Sequence, residues 1–167
     1  MFRRIPLSGR LVLAALCLFL LASGVVASSA SRFLGPLLNV SLEGTITRGS
    51  QTLPLSEMAR PGDTLNWRMV VSNRGDGPSP SVWSVDGQVD PKTVYVIGSG
   101  GCDGSPAVSY SLDGENFSAR PVENYTEGGV QKQRPAPVEA YRAVRFSWSN
   151  SINAGEVRAC RYQARVR

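Results

Sequence analysis

The chain has 167 residues, a formal net charge of +5, three cysteines and no histidine. That length allows one domain with a short extension, and the missing histidine removes the commonest general base, the Ser-His-Asp triad and most zinc sites. All thirteen acidic residues lie beyond residue 30, against fifteen basic ones there, so this part of the chain lacks the charge footprint of a nucleic-acid binder.

Residues 1–30 read as a signal peptide helix. Arg3, Arg4 and Arg10 form a basic start, residues 11–21 an apolar core, and Ala27, Ser28, Ser29 and Ala30 suit cleavage. The apolar stretch falls short of the about 20 residues that a membrane span needs. An uncleaved anchor is the alternative. Cys17 follows Leu16 inside the apolar core rather than a small residue at its end, which argues against lipid attachment.

Beyond residue 30 the signals are strands and turns. Residues 37–48 alternate, with Leu38, Val40 and Leu42 on one face. Residues 51–58 read as a connector holding Pro54. The turn Pro61-Gly62-Asp63 launches a strand at 64–72, in which Leu65, Trp67, Met69 and Val71 point one way. It ends in Asn73-Arg74-Gly75, a turn suited to positive φ. A loop with Pro78 and Pro80 leads to a strand at 81–86 containing Val82 and Val85. Thr93-Val94-Tyr95-Val96-Ile97 is a β-branched run, and a Gly-rich loop surrounds Cys102.

Val108 to Leu112 is a further strand, and Asp113-Gly114 signals a two-residue hairpin returning through Phe117. Residues 120–140 read as a long polar loop. In residues 141–148, Val144, Phe146 and Trp148 share a face. In residues 156–167, Cys160, Tyr162, Ala164 and Val166 face inward. Short strands separated by turns, with no helix after residue 30, predict an all-β fold. The expected architecture is an immunoglobulin-like antiparallel β-sandwich over residues 31–167, preceded by the signal segment. Trp67 and Trp148 are expected in its core.

Cys102 and Cys160 remain after export. In an exported chain such a pair reads as a disulfide, with two small buried thiols as the alternative.

Several segments occur in the order of a known family. They are Pro61-Gly62-Asp63-Thr64-Leu65, Val70-Val71-Ser72-Asn73-Arg74-Gly75, Thr93-Val94-Tyr95-Val96, Tyr110-Ser111-Leu112-Asp113-Gly114 and Ala140-Tyr141-Arg142-Ala143-Val144-Arg145-Phe146, followed by Gly155. Over roughly residues 38–167 the chain resembles the "conserved repeat" domain of bacterial and archaeal surface proteins, a domain of unknown function. The resemblance implies an immunoglobulin-like sandwich on an exported protein. The segment Arg134-Pro135-Ala136-Pro137-x-x-Ala140-Tyr141 is similar to single-domain exported forms from cyanobacteria. The family is often tandemly repeated, whereas one copy is present here, and the cysteine pair stands outside its pattern.

Little in the sequence points to catalysis. Asp86, Asp90, Asp103, Asp113 and Glu115 cluster in loops, but their spacing matches no calcium loop. Asp113 and Glu115 are close enough to suggest a glycosidase pair, yet a hairpin turn would leave both solvated with ordinary acidity. No cofactor or metal is expected. The candidate partner-binding residues are Trp83 and Tyr125 as exposed aromatics, Lys132 and Arg134 in the 120–140 loop, and Arg158, Arg161 and Arg165 near the C-terminus. The arginines read as a solvated face shielding an edge strand, or as a contact for an acidic polymer. The expected role is a non-catalytic exported module of the cell envelope or periplasm that binds an envelope protein. A carbohydrate-binding module on an envelope polysaccharide and an accessory subunit of a membrane complex are the alternatives.

Overall fold

The computed structural model describes residues 37–167, and the signal segment expected over residues 1–30 lies outside them. The strands are β1 (Leu38–Arg48), β2 (Gln51–Pro54), β3 (Thr64–Asn73), β4 (Trp83–Gln88), β5 (Thr93–Tyr95), β6 (Gly101–Cys102), β7 (Ala107–Ser111), β8 (Phe117–Ser118), β9 (Val122–Glu127), β10 (Val130–Pro135), β11 (Ala143–Trp148) and β12 (Val157–Val166). Among the described residues the only helical piece is a 3-10 turn at Val138–Ala140.

One sheet runs β2-β1-β3-β12-β5, with β6 also on β12. A second runs β4-β11-β7-β8, and β9 with β10 forms a separate hairpin. Every pairing is antiparallel. The two larger sheets face each other as a β-sandwich. Met69, Val71, Cys160 and Tyr162 from one meet Trp83, Val85, Val144, Phe146 and Trp148 from the other in a single buried cluster. The period-two alternation of β3, β11 and β12 drives this, because one face of each strand is apolar and must leave water. Trp148 is buried as expected, whereas Trp67 is only half-buried beside the cluster.

Several connections differ from the sequence expectation. Residues 51–58 are not wholly a connector, since β2 pairs back on β1 through a Gly49-Ser50 turn with Arg48 opposite Gln51. The 120–140 segment is not a polar loop. Its Gly128-Gly129 pair takes φ of +59° and +79° and joins β9 to β10 as a two-residue hairpin turn, a conformation that only glycine adopts freely at both positions. The Asp113-Gly114 hairpin exists, but its loop covers residues 112–116, because Ser111 pairs with Phe117. The Asn73 turn needs no positive φ. Its buried side chain does the work, accepting from the backbone N–H of Leu37 and Gly75 and donating to the carbonyls of Gly77 and Ile152. The last strand, β12, is not an edge strand, since it pairs with β3 on one side and with β5 and β6 on the other.

A clamp fixes the entry to β3. Asp63 follows the Pro61-Gly62 turn, and its carboxylate accepts from the Arg60 N–H at 2.8 Å and from the Arg48 guanidinium at 2.7 Å. These bonds, the Arg48 one foremost, hold the Asp63 carboxyl below its usual range. The native value therefore lies under the unfolded one. The stabilisation is complete above about pH 4 and fades as pH falls through the lowered value. Urea midpoints measured against pH should drop on acidification, and Asp63→Asn should flatten that drop while lowering the neutral-pH midpoint. In the core, Trp148→Ala should cost roughly 3–5 kcal/mol as a buried truncation. Trp67→Ala should cost under about 2 kcal/mol, because the half-buried ring gives up less transfer energy.

Candidate partner-binding surfaces

The residues proposed from sequence for partner contact do not form one site. Trp83 is in the core, contrary to expectation. It stacks on Trp148 with ring centroids 4.1 Å apart, and its indole N–H donates to the Asn150 carbonyl at 2.9 Å. β4 turns Trp83, Val85 and Gly87 inward and leaves Ser84, Asp86 and Gln88 outside. Val82 has the opposite parity and is 75 % exposed.

Arg158 parts company with Arg161 and Arg165 for the same reason. It lies on the inward face of β12 with Cys160, Tyr162 and Ala164, while Arg161 and Arg165 face solvent. Its guanidinium bonds the Glu156 carboxylate, Asn150 Oδ1 and the Ser151 carbonyl, leaving it a structural cross-brace under Trp83. Arg161 sits opposite Arg68, which itself bonds Glu43 at 3.0 Å. Both outward arginines lie in mid-sheet.

Tyr125, Lys132 and Arg134 do come together on the β9-β10 hairpin, with Lys132 directly opposite Tyr125. Their charges are already answered. Lys132 bonds Glu127 at 2.7 Å, Arg134 bonds Glu123 at 2.7 Å, and the Arg134 guanidinium lies 5.0 Å over the Tyr125 ring.

The loop carboxylates are occupied too. Asp86 forms a two-pronged pair with Arg145, and Asp103 accepts from the Ala159 N–H. Asp113 does not keep ordinary acidity. The Asn116 side chain, with the Asn116 and Glu115 amides and the Ser111 hydroxyl, holds its carboxyl well below the usual range. A group so firmly ionised organises its loop and is a poor proton donor. Among the described residues no group of three or more His, Cys, Asp or Glu side chains is placed to hold a metal.

The surface that sequence reasoning missed is a groove of about 540 Å³ between the sheets. Val40, Leu42, Leu65, Trp67 and Met69 form its floor, and residues 86–91 its opposite wall. It exists because the second sheet is narrower. The outermost strand of that sheet, β4, seats its Gly87 on the Tyr162 ring of β12, where a Cβ would run into the ring. The Tyr162 hydroxyl donates to the Gln88 carbonyl at 2.7 Å, and burial pushes its pKa up to about 12. The second sheet leaves the inner face of β1 uncovered over residues 38–42, whereas Ile46 farther along the same face is buried. Leu38, Val40 and Leu42 share one face as expected, the inner one, yet they remain 37 %, 53 % and 57 % exposed. Among the described residues the same stretch has an open backbone edge. β3 pairs with β1 over residues 38–47, but β2 covers the other side only at residues 45–48. The apolar alternation of 38–42 was visible in the sequence. The missing cover was not, because strand periodicity reports a face and not its neighbour.

Cys102 and Cys160 stand directly opposite each other in the β6-β12 ladder, with Cα atoms 4.0 Å apart and sulfurs at disulfide bonding distance. The bond would tie the Gly-rich segment to the central strand beside Trp148, whose indole N–H donates to the Asp103 carbonyl at 3.0 Å.

No family model, curated protein or solved structure matches this chain.

Alkylation of the unfolded, unreduced protein followed by peptide mapping should leave the Cys102 and Cys160 peptides unlabelled. Reduction should label both and lower stability by about 2–4 kcal/mol, the usual yield of a bridge across a long loop.

Proposed function

We propose that this protein is a non-catalytic, exported module of the cell envelope or periplasm, and that it works by binding a protein partner at the groove beside β1. The observation that carries the binding reading is the coincidence of exposed apolar side chains and an open strand edge in residues 38–42. Exposed apolar surface joined to unpaired backbone is the usual ground for strand addition, in which main-chain bonds supply affinity and side-chain pockets supply selectivity. The reading of the fold as immunoglobulin-like, and of the chain as a relative of the conserved-repeat surface domains, belongs to the same proposal. It rests on the ordered segments from Pro61 to Gly155 and on the paired antiparallel sheets. Export rests on the composition of residues 1–30.

The sugar-binding alternative loses its aromatic platform, since Trp83 is buried and Tyr125 carries Arg134 over its ring. The acidic-polymer variant of that alternative loses Arg158 to Glu156.

Cross-linking in the envelope fraction of the host separates the two candidate surfaces. Leu42→Lys should strip cross-linked partners from the protein, and deletion of residues 122–134 should leave the partner profile unchanged. The reverse pattern would move the function to the β9-β10 hairpin. Turnover of an envelope polysaccharide by the purified protein would end the non-catalytic reading.

A further inference from the structure

We infer that the groove edge pairs with a second copy of this chain, β1 against β1 across a two-fold axis at Val40. The inference rests on the binding reading above and names the partner. It starts from the backbone. The Arg74 N–H donates to the Leu37 carbonyl at 2.8 Å, so Leu37 directs its backbone groups toward β3. In an antiparallel ladder this direction alternates along the strand. Residues 39, 41 and 43 therefore also bond toward β3, and Leu38, Val40 and Leu42 present their N–H and C=O groups to the open side. The side chains of those same three residues lie on the apolar inner face. Unpaired backbone and uncovered side chain thus belong to the same residues.

Within residues 38–43 the sequence carries few of the usual guards against pairing. Residues 38–43 contain no lysine, no proline and no glycine. Their one charge, Glu43, is on the outer face and is engaged by Arg68 at 3.0 Å. The open edge ends at Thr45, where β2 begins to pair, and at the preceding Gly44 a Cβ would run into the Leu55 side chain and the Trp67 ring.

The pattern of this edge is self-complementary. Leu38-Asn39-Val40-Ser41-Leu42 has the same order of apolar and polar residues in both directions. Antiparallel pairing about Val40 sets Leu38 against Leu42 of the second copy, Asn39 against its Ser41, and Val40 against its Val40. Directly opposed residues share a face, so every apolar side chain meets an apolar one and no like charges meet. Leu38, Val40 and Leu42 each gain both of the backbone hydrogen bonds that the open edge leaves unmade. The register also carries Leu38 of the second copy alongside Leu42, at the mouth of the groove. A register shifted by one residue would set inward against outward side chains, which a two-fold axis normal to the sheet forbids. The contact is short and falls in the class of weak, transient interfaces, strengthened where copies are held together at a surface.

Two measurements on the full chain test this. In the first, single cysteines are placed on the edge and oxidised mildly, with the unsubstituted chain as control. Val40→Cys should form a covalent dimer, because a hydrogen-bonded antiparallel pair brings Cα atoms to about 5.5 Å. Leu38→Cys or Leu42→Cys alone should not, since like positions are roughly 13 Å apart in this register. A mixture of those two should. In the second, sedimentation follows self-association up to roughly 1 mM, the range that a small interface requires. Leu38→Lys with Leu42→Lys should weaken the dimer more than tenfold. Leu38→Lys with Leu42→Glu, which pairs opposite charges across the axis, should stay within about threefold of the parent. All three positions are exposed, and unchanged thermal midpoints will show that the variants fold.

A monomer throughout with no Val40 cross-link, an efficient Leu38→Cys homodimer, or a Lys/Lys variant that dimerises normally would each overturn self-pairing. If self-pairing fails while Leu42→Lys still strips envelope partners, the groove binds the strand of another protein and the binding reading stands. If Leu42→Lys also leaves those partners in place, both fall.

Discussion

Tyr162 lying across Gly87 governs the outline of this molecule. The ring needs the missing side chain at Gly87, and the hydroxyl finds the Gln88 carbonyl at 2.7 Å, so a bulky buried phenol is satisfied at both ends. The contact fixes how far the smaller sheet extends over the larger. Toward β5 the two sheets close, with Tyr95 and Tyr110 edge to face at 5.3 Å and Tyr110 stacked on Tyr141 at 4.9 Å. Toward β1 they diverge, and Trp67 is left half in the core and half on the floor of the groove. The groove is therefore a consequence of sheet width.

The opposite end of the sandwich is built to the contrary rule. Trp83 stacked on Trp148, Arg158 beneath them, and the cysteine pair at the β6-β12 crossing leave no polar group of that corner idle: the indole N–H groups reach Asn150 and Asp103, and the guanidinium reaches Glu156, Asn150 and Ser151. A buried cation so fully bonded is costly to break and specifies one arrangement of the chain around it. β1 contributes the buried Ile46 to the core, while its residues 38–42 stay outside the main buried cluster.

The all-β class, the antiparallel pairing and most strand positions were legible in the sequence, because alternation and turn residues carry them directly. Two errors came from reading residue type ahead of parity. Trp83 shares its parity with Val85, Gly87 and Val89, and Arg158 shares its parity with Cys160 and Tyr162, so both belong inside on period two alone. The β9-β10 hairpin was hidden by composition. Polar residues on both faces look like loop, yet Gly128-Gly129 was a sufficient hairpin signal in itself. The groove was beyond reach of pattern. Leu38, Val40 and Leu42 announce an apolar face, but only the strand order of the second sheet decides whether anything lies opposite.

The two exposed features differ in what they have left to offer a partner. In the hairpin each cation already holds a carboxylate, Tyr125 already carries a guanidinium, and the cross-strand amides and hydroxyls pair with one another. A partner binding there would have to break solvated contacts and replace them with equivalents, which yields little net free energy. At β1 no strand among the described residues pairs with the open side of residues 38–42, and the leucine and valine side chains there are exposed to water. Covering them releases that water and breaks nothing within the protein. The gain on association is thus concentrated in five residues of one edge strand, and an extended strand of alternating character is the shape that collects it.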